Sequence, residues 1–442
     1  MRLERNRPGY TIAGLLVAAI GLLAPVGACA QLMAGAARVD ITPDPAAIKT
    51  PLGGYAGRYA KPATGIHDRV YARALALSNG DNGVVLTSLD LCFFPAAARA
   101  EVMKRVTAAA VPGLSAANVL ISATHSHCGP DPLAMLPDNK LTFKGWTSYS
   151  PELTSFEADR IAQAILLAFK RKMPAKAGVA SLDCTGMNHN RRGGKVVDPV
   201  MSLLRVTDDQ GRSLASLVNF ASHPTIYDEK MMDISADWPG VMCGWLEKKM
   251  GGDAVALFLN GAEGDASPDG TRGATEEAKA ADYGTRLAAK AWDILQVMQL
   301  KTDVPVAVTR MEVTLPAHKP NALFVIAART FGATTAQAID LVNKIMPTAT
   351  TAEFVRVGPM MMAALPCEPT GALGEQMKAL IRKAGFEIPA IVALTDDWIA
   401  YALTPEQYKE GNYETGMSFF GDQLGPTLVK AVETGLLKAS GK

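Results

Sequence analysis

Asn118–His127 reads NVLISATHSH. A short apolar run, Asn118–Ser122, passes straight into Thr124-His125-Ser126-His127. This is the pattern of a buried strand that ends in a polar loop. Four more stretches repeat it: Leu214–Phe220 into Ser222-His223-Pro224, Ala254–Leu259 into Asn260–Pro268, Met360–Leu365 into Pro366-Cys367-Glu368-Pro369, and Ile388–Leu394 into Asp396-Asp397-Trp398. Chemical groups gather on loops held by a rigid sheet, commonly beyond the carboxyl ends of its strands. Of the six histidines in the chain, His125, His127 and His223 lie in these clusters. A metal or hydrolytic site is therefore the first hypothesis.

Outward from these strands the pattern alternates. Val84–Leu91 reads as a strand and Pro95–Ala110 as a helix. Pro151–Lys172 has apolar residues at helical spacing, with Pro151 at its start. Val200–Val206 and Leu214–Phe220 flank Asp208-Asp209-Gln210-Gly211, a hairpin turn. Helices are expected over Pro239–Met250, Thr275–Met298, Thr370–Ala384 and Thr427–Leu437, and a strand over Val304–Val313. Pro130–Ser150 and the Gly/Arg-rich Asn190–Asp198 are long loops of the kind that serve as lids or binding loops. There is no evident internal repeat and no linker. The expectation is an α/β fold: one large domain, 31–442, with a mixed β-sheet core and flanking helices.

Composition supports this. The chain has 442 residues, of which 48% are apolar, enough for a sizeable core. Its 44 basic and 43 acidic residues give a net charge of +1, so there is no electrostatic case for nucleic acid and at most peripheral contact with a membrane. Residues 1–30 read as a signal peptide: Arg2, Arg5 and Arg7, then the apolar Ile12–Leu23, then Ala28-Cys29-Ala30 before Gln31. Cleavage after Ala30 is expected. Val26-Gly27-Ala28-Cys29 also resembles a lipoprotein box, which would place a lipid on Cys29. Either route predicts a periplasmic or secreted protein. Of six cysteines, Cys92, Cys128, Cys184, Cys243 and Cys367 lie outside the signal. An odd number without CxxC spacing reads as buried free thiols.

Each motif has a plainer reading beside it. Extended geometry would send His125 and His127 to the same side, one toward a metal and one toward substrate; a solvated loop would also hold two histidines. His223 is a ligand or a structural histidine, with Asp237 downstream as a carboxylate to orient it. In Asn260–Pro268, Glu263, Asp265 and Ser267 suggest a site, but Asp265 capping a turn would suffice. Ser267 lacks the GxSxG of a nucleophile elbow. Glu368 is a ligand or a cap for the helix that follows Thr370. No HExxH, P-loop or GxGxxG is present, which disfavours common zincins, NTPases and dinucleotide enzymes.

These residues resemble the neutral ceramidase family, in its large N-terminal catalytic domain. The matching pieces run in the family's order: Val39-Asp40-Ile41-Thr42-Pro43, Gly65-Ile66-His67-Asp68, Ser122–Pro130, Asn190-Arg191-Arg192, Asn219–His223, Gly264–Pro268, Pro366–Pro369 and Tyr401–Glu414. The resemblance implies a zinc ion held by His125, His223, Glu368 and Tyr401. It places His127, Arg191 and Tyr413 against the scissile bond, and water activated by zinc as the nucleophile. It implies cleavage of an N-acyl amide, ceramide-like or of another lipid. A non-lipid amide or ester, or a non-catalytic binding protein on the same scaffold, are the alternatives. Members of the family carry a β-sandwich domain after the catalytic one, and the expectation here is the catalytic domain without it. Cys128 and Cys367 stand where the family has serine and glycine. Because both flank implied ligands, they are expected to face each other or form a disulfide.

Overall fold

Three units of the same connectivity build the chain. In the first, β1 (Leu32–Asp40) pairs antiparallel with β2 (Tyr71–Asn79), β2 pairs antiparallel with β3 (Asn82–Leu89), and β3 runs parallel to β4 (Val119–Ala123). A hairpin cannot join parallel neighbours, so the chain needs a crossover there. Helix Ala96–Ala108 supplies it, and helix Pro151–Lys170 follows β4. The second unit repeats the order with β5 (Met173–Asp183), β6 (Val200–Asp208), β7 (Ser213–Phe220), crossover helix Asp237–Met250, β8 (Val255–Asn260) and trailing helix Glu276–Leu295. The third has β9 (Val306–Thr314), β10 (Ala349–Val357), β11 (Met360–Ala364), crossover helix Gly371–Lys383, β12 (Ile388–Val392) and trailing helix Leu424–Ala439. It also carries an insertion between β9 and β10: helices Ala322–Thr330 and Thr335–Ile345.

No repeat was expected from the sequence, and the structure corrects this. The repeat is one of topology. A trace of it survives in Ser222-His223-Pro224-Thr225 against Cys367-Glu368-Pro369-Thr370.

The structure is a computed structural model that describes residues 31–139 and 147–440; the expected signal segment 1–30 and part of the Pro130–Ser150 loop lie outside them. The first two units join through β1 and β5 into one eight-stranded mixed sheet, in the order β8-β7-β6-β5-β1-β2-β3-β4. The third forms the four-stranded sheet β9-β10-β11-β12. The two sheets share a core, with Leu75, Leu86, Leu204, Leu217 and Leu257 of the first against Val355, Met360, Met362 and Val392 of the second. Fully burying one such side chain is worth about 1.5–3 kcal/mol. The outer faces are covered by the helix pairs of the three units. The α/β class, the mixed sheet and the flanking helices are those read from the sequence.

The carboxyl ends of β4, β8 and β12 meet. Ala123 N–H donates to the Leu394 carbonyl (3.2 Å) and Ala393 N–H to the Asn260 carbonyl (3.0 Å). The Asn260 side chain donates to the Thr124 carbonyl at 3.1 Å. Each unit therefore delivers its strand-end loops to one place.

Candidate metal centre

In every unit the loop after the third strand bears a group that can bind a cation: Cys92 after β3, His223 after β7 and Glu368 after β11. The loop after β4 adds His125 and the loop after β8 adds Glu263, all buried. His125 has φ of 75°, the left-handed region that is unusual for a residue with a side chain. The extended alternation expected for His125 and His127 therefore does not continue. The reversal still brings the two rings to 4.7 Å.

The hydrogen bonds decide which ring atoms face inward. Nδ1 of His125 contacts the Cys92 carbonyl at 2.5 Å, and Nδ1 of His223 contacts the Glu263 carbonyl at 2.8 Å. A carbonyl only accepts, so each Nδ1 holds the proton and each Nε2 presents a lone pair. Those Nε2 atoms lie 3.2 and 3.5 Å from Oε2 of Glu368. That oxygen has no hydrogen-bond partner, whereas Oε1 accepts from Trp398 Nε1 at 3.0 Å. Three electron-rich atoms within 4.8 Å of one another thus converge in a buried site. Such an arrangement is costly unless a metal cation, or a proton on His125, sits among them. Two imidazoles and a carboxylate, each oriented by a further hydrogen bond, fit a divalent transition metal.

Tyr401 joins this set through the short parallel pairing of Glu368–Pro369 with Tyr401–Ala402. Its hydroxyl is 3.1 Å from His223 Nε2 and accepts from Arg191 Nη2, also at 3.1 Å. Arg191 in turn donates to Glu414 (2.8 Å) and to the Gly264 carbonyl (2.9 Å). Its guanidinium lies over both the Tyr401 and Tyr413 rings. Tyr413 is 60% exposed and stands at the mouth, with its ring 5.8 Å from that of Tyr401. His127 closes the other side, Nε2 to Nε2 with His125 at 3.3 Å and edge-on to Tyr55 at 4.7 Å. All seven residues implied by the resemblance, His125, His127, Arg191, His223, Glu368, Tyr401 and Tyr413, are gathered here.

Electrostatics separate the histidines. Burial, and then Arg191, push His223 down to about 3. Burial, His125 and His223 hold His127 well below the usual histidine value. Burial also lowers His125, but Cys92 and Glu368 outweigh it and raise the group well above that value. Burial and Glu368 raise the Tyr401 phenol, against Arg191.

Several expectations fail. Asp237 does not orient His223: its carboxylate accepts from the amides of Ile226, Tyr227 and Trp238, and the carbonyls of Glu263 and Ala266 hold the imidazole instead. Cys128 and Cys367 form no disulfide. Arg58 donates to Cys128 Sγ at 3.3 Å, and the two thiols lie in different apolar clusters. Asp265 accepts from Gly371 N, Asn190 Nδ2 and Gln407 Nε2, which makes it a brace for the wall. Ser267 sits in the short strand Ala266–Pro268, paired with Asn188–Asn190. Sequence reasoning passed over Cys92 and Glu414. Cys92 follows the Val84–Leu91 strand, which would have made a sixth strand-end cluster.

The chain is similar in sequence and in fold to known proteins. The family described as "Neutral/alkaline non-lysosomal ceramidase, N-terminal" matches residues 32–285. Neutral ceramidase B of Dictyostelium discoideum is 31% identical over 255 residues, 51% of this chain and 35% of that protein. Neutral ceramidase of Mycobacterium tuberculosis is 24% identical over an alignment of 474 residues, covering 83% of this chain and 71% of that protein. The first match thus spans about a third of its relative's length. The crystal structure of neutral ceramidase from Pseudomonas aeruginosa superposes with a TM-score of 0.81 over 93% of this chain and 75% of that one, at 20% identity, which establishes a shared fold.

Proposed function

Because the chain belongs to the neutral/alkaline non-lysosomal ceramidase family, we propose that it is a zinc-dependent amidohydrolase that cleaves the N-acyl amide of a lipid. The observation that carries this is the convergence of His125 Nε2, His223 Nε2 and Glu368 Oε2. These three, with the Tyr401 hydroxyl, would hold the zinc. When bound, zinc supplies Lewis acidity: it polarises the amide carbonyl and brings the pKa of water down to about 7.

The protein's own residues supply the rest. His127 stays neutral in its buried setting, with Nε2 facing the centre and Nδ1 against Gly54. Its Nε2 takes the proton from the attacking water and returns it to the leaving amine. Arg191 and Tyr413, on the open side of Tyr401, donate hydrogen bonds to the oxyanion that develops on the carbonyl. The Glu414 carboxylate fixes the guanidinium for that task.

A lipid substrate suits the mouth. Leu323 and Ile326 of the inserted helix are 45% and 61% exposed, and Leu323 packs against Gly416, in the same short helix as Tyr413. Tyr59 is also exposed and lies 5.8 Å from Phe331 at the end of that helix. Apolar surface gathered at a rim marks contact with an apolar partner. The two inserted helices together are apolar enough for a membrane span but bend by 112°, and no single helix among the described residues is long and apolar enough to cross a bilayer. The leader-like residues 1–30 support export to the periplasm or beyond. Mass spectrometry of products from a panel of N-acyl amides, with and without chelator, tests the proposal. A free fatty acid and an amine are expected only where zinc is retained.

A further inference from the structure

A second buried carboxylate lies on the loop whose main chain holds His223. Glu263 is fully buried, and neither of its carboxylate oxygens has a hydrogen-bond partner. The ionisable groups that act electrostatically on it are His125, Glu368, Arg191 and Cys367. Arg191 is already engaged with Glu414 and Tyr401. The Glu263 backbone is fixed in place, because its carbonyl takes the Nδ1 proton of His223 and its N–H donates to Gly261.

Topology says the same independently. The parallel ladder of the first unit closes on Leu89 opposite Ala123, and that of the second on Phe220 opposite Asn260. His125 follows Ala123, and Glu263 follows Asn260. These two occupy corresponding loops of two units, just as His223 and Glu368 occupy corresponding loops after β7 and β11. Where one member of each pair faces the cation, the repeat brings the other to the same place.

We propose that Glu263 is a second carboxylate of the metal centre, its negative charge balanced by the bound divalent cation. The inference rests on the metal-centre reading above. The ionised form of a buried acid with no partner is unfavourable, and the charge of Glu368 makes it more so. Zinc removes both penalties, and the protein without zinc bears them. Glu263 is therefore a residue that destabilises the metal-free protein and strengthens metal binding.

The test is Glu263→Gln, with Glu263→Met as a second variant of similar volume. Zinc affinity is read by competition with a chromogenic chelator, and Tm is measured with and without zinc. Zinc binding should weaken about 10–100-fold in both variants. The metal-free Tm should rise above that of the metal-free wild type, so the Tm gain on adding zinc shrinks. Unchanged zinc affinity would overturn the proposal. So would an equal fall in Tm with and without zinc, or loss of folding in both variants, since either marks a purely structural acid. If the wild type takes up no zinc at all, the metal-centre reading falls, and the role of Glu263 with it.

Discussion

His223 donates its Nδ1 proton to the backbone carbonyl of Glu263 at 2.8 Å, and so Nε2 is the atom it turns toward Glu368. His125 is held the same way by the Cys92 carbonyl. The orienting groups are main-chain oxygens on loops of neighbouring strands, so side-chain substitutions cannot easily remove them. The geometry of these proposed ligands is a property of the fold.

The two histidines of the Thr124–His127 loop should therefore separate cleanly. His125→Ala should lose the metal. His127→Ala should keep it, with kcat lower by about 10²–10⁴. Metal content by plasma mass spectrometry, beside steady-state rates, reads both. Full metal occupancy in His125→Ala would remove it from the ligand set.

Gly54 is a second route to His127. It has φ of 87°, and a Cβ there would sit 2.3 Å from the His127 ring. Gly54→Ala should displace the imidazole and lower kcat at least tenfold, with zinc content unchanged. It should also lower stability by about 1 kcal/mol from backbone strain alone. Wild-type turnover in this variant would show that His127 has room to spare.

Asp237 predicts a pH effect on stability away from the catalytic chemistry. Burial pushes this carboxyl up to about 7, although the amides of Trp238, Tyr227 and Ile226 act against it. Between about 4, the ordinary aspartate value, and about 7, the folded chain keeps a proton that the unfolded chain has released. Stability must then fall as pH rises through that window. Relative to Asp237→Asn, wild-type Tm should drop from pH 4 to pH 7 and stay level above. Parallel melting curves at every pH would contradict this.

The apolar rim should matter for interfaces and not for the bond-breaking step. A Leu323→Ser, Ile326→Ser double variant should bind phosphatidylcholine vesicles more weakly in a sedimentation assay. Its rate on a water-soluble short-chain amide should stay at the wild-type level. Equal vesicle binding by both proteins would exclude the rim as a docking surface.

The five strand-end clusters were legible because a buried strand announces itself as an apolar run and its loop as an abrupt polar cluster. All five appear as β4, β7, β8, β11 and β12. Strands β1 and β2 were not legible. They lie next to each other inside the sheet and read LMAGAARVD and YARALALSN, with interior alanines that blur the alternation. The threefold repeat was hidden because only its connectivity is retained. Tyr401 and Tyr413 came from motif resemblance alone, since nothing local marks a two-residue strand beside Glu368. Glu263 was read only as one member of the Asn260–Pro268 cluster, because its burial is set by the other units, which no local window contains.

The most direct measurement is product analysis on one N-acyl sphingoid base with three preparations: metal-stripped protein, the same protein reconstituted with zinc, and reconstituted His127→Ala. Fatty acid and free amine are expected from the reconstituted wild type, none from the stripped protein, and only a trace from the variant despite bound zinc. Equal product from stripped and reconstituted protein, or no cleavage of any N-acyl amide by the zinc-loaded wild type, would contradict this.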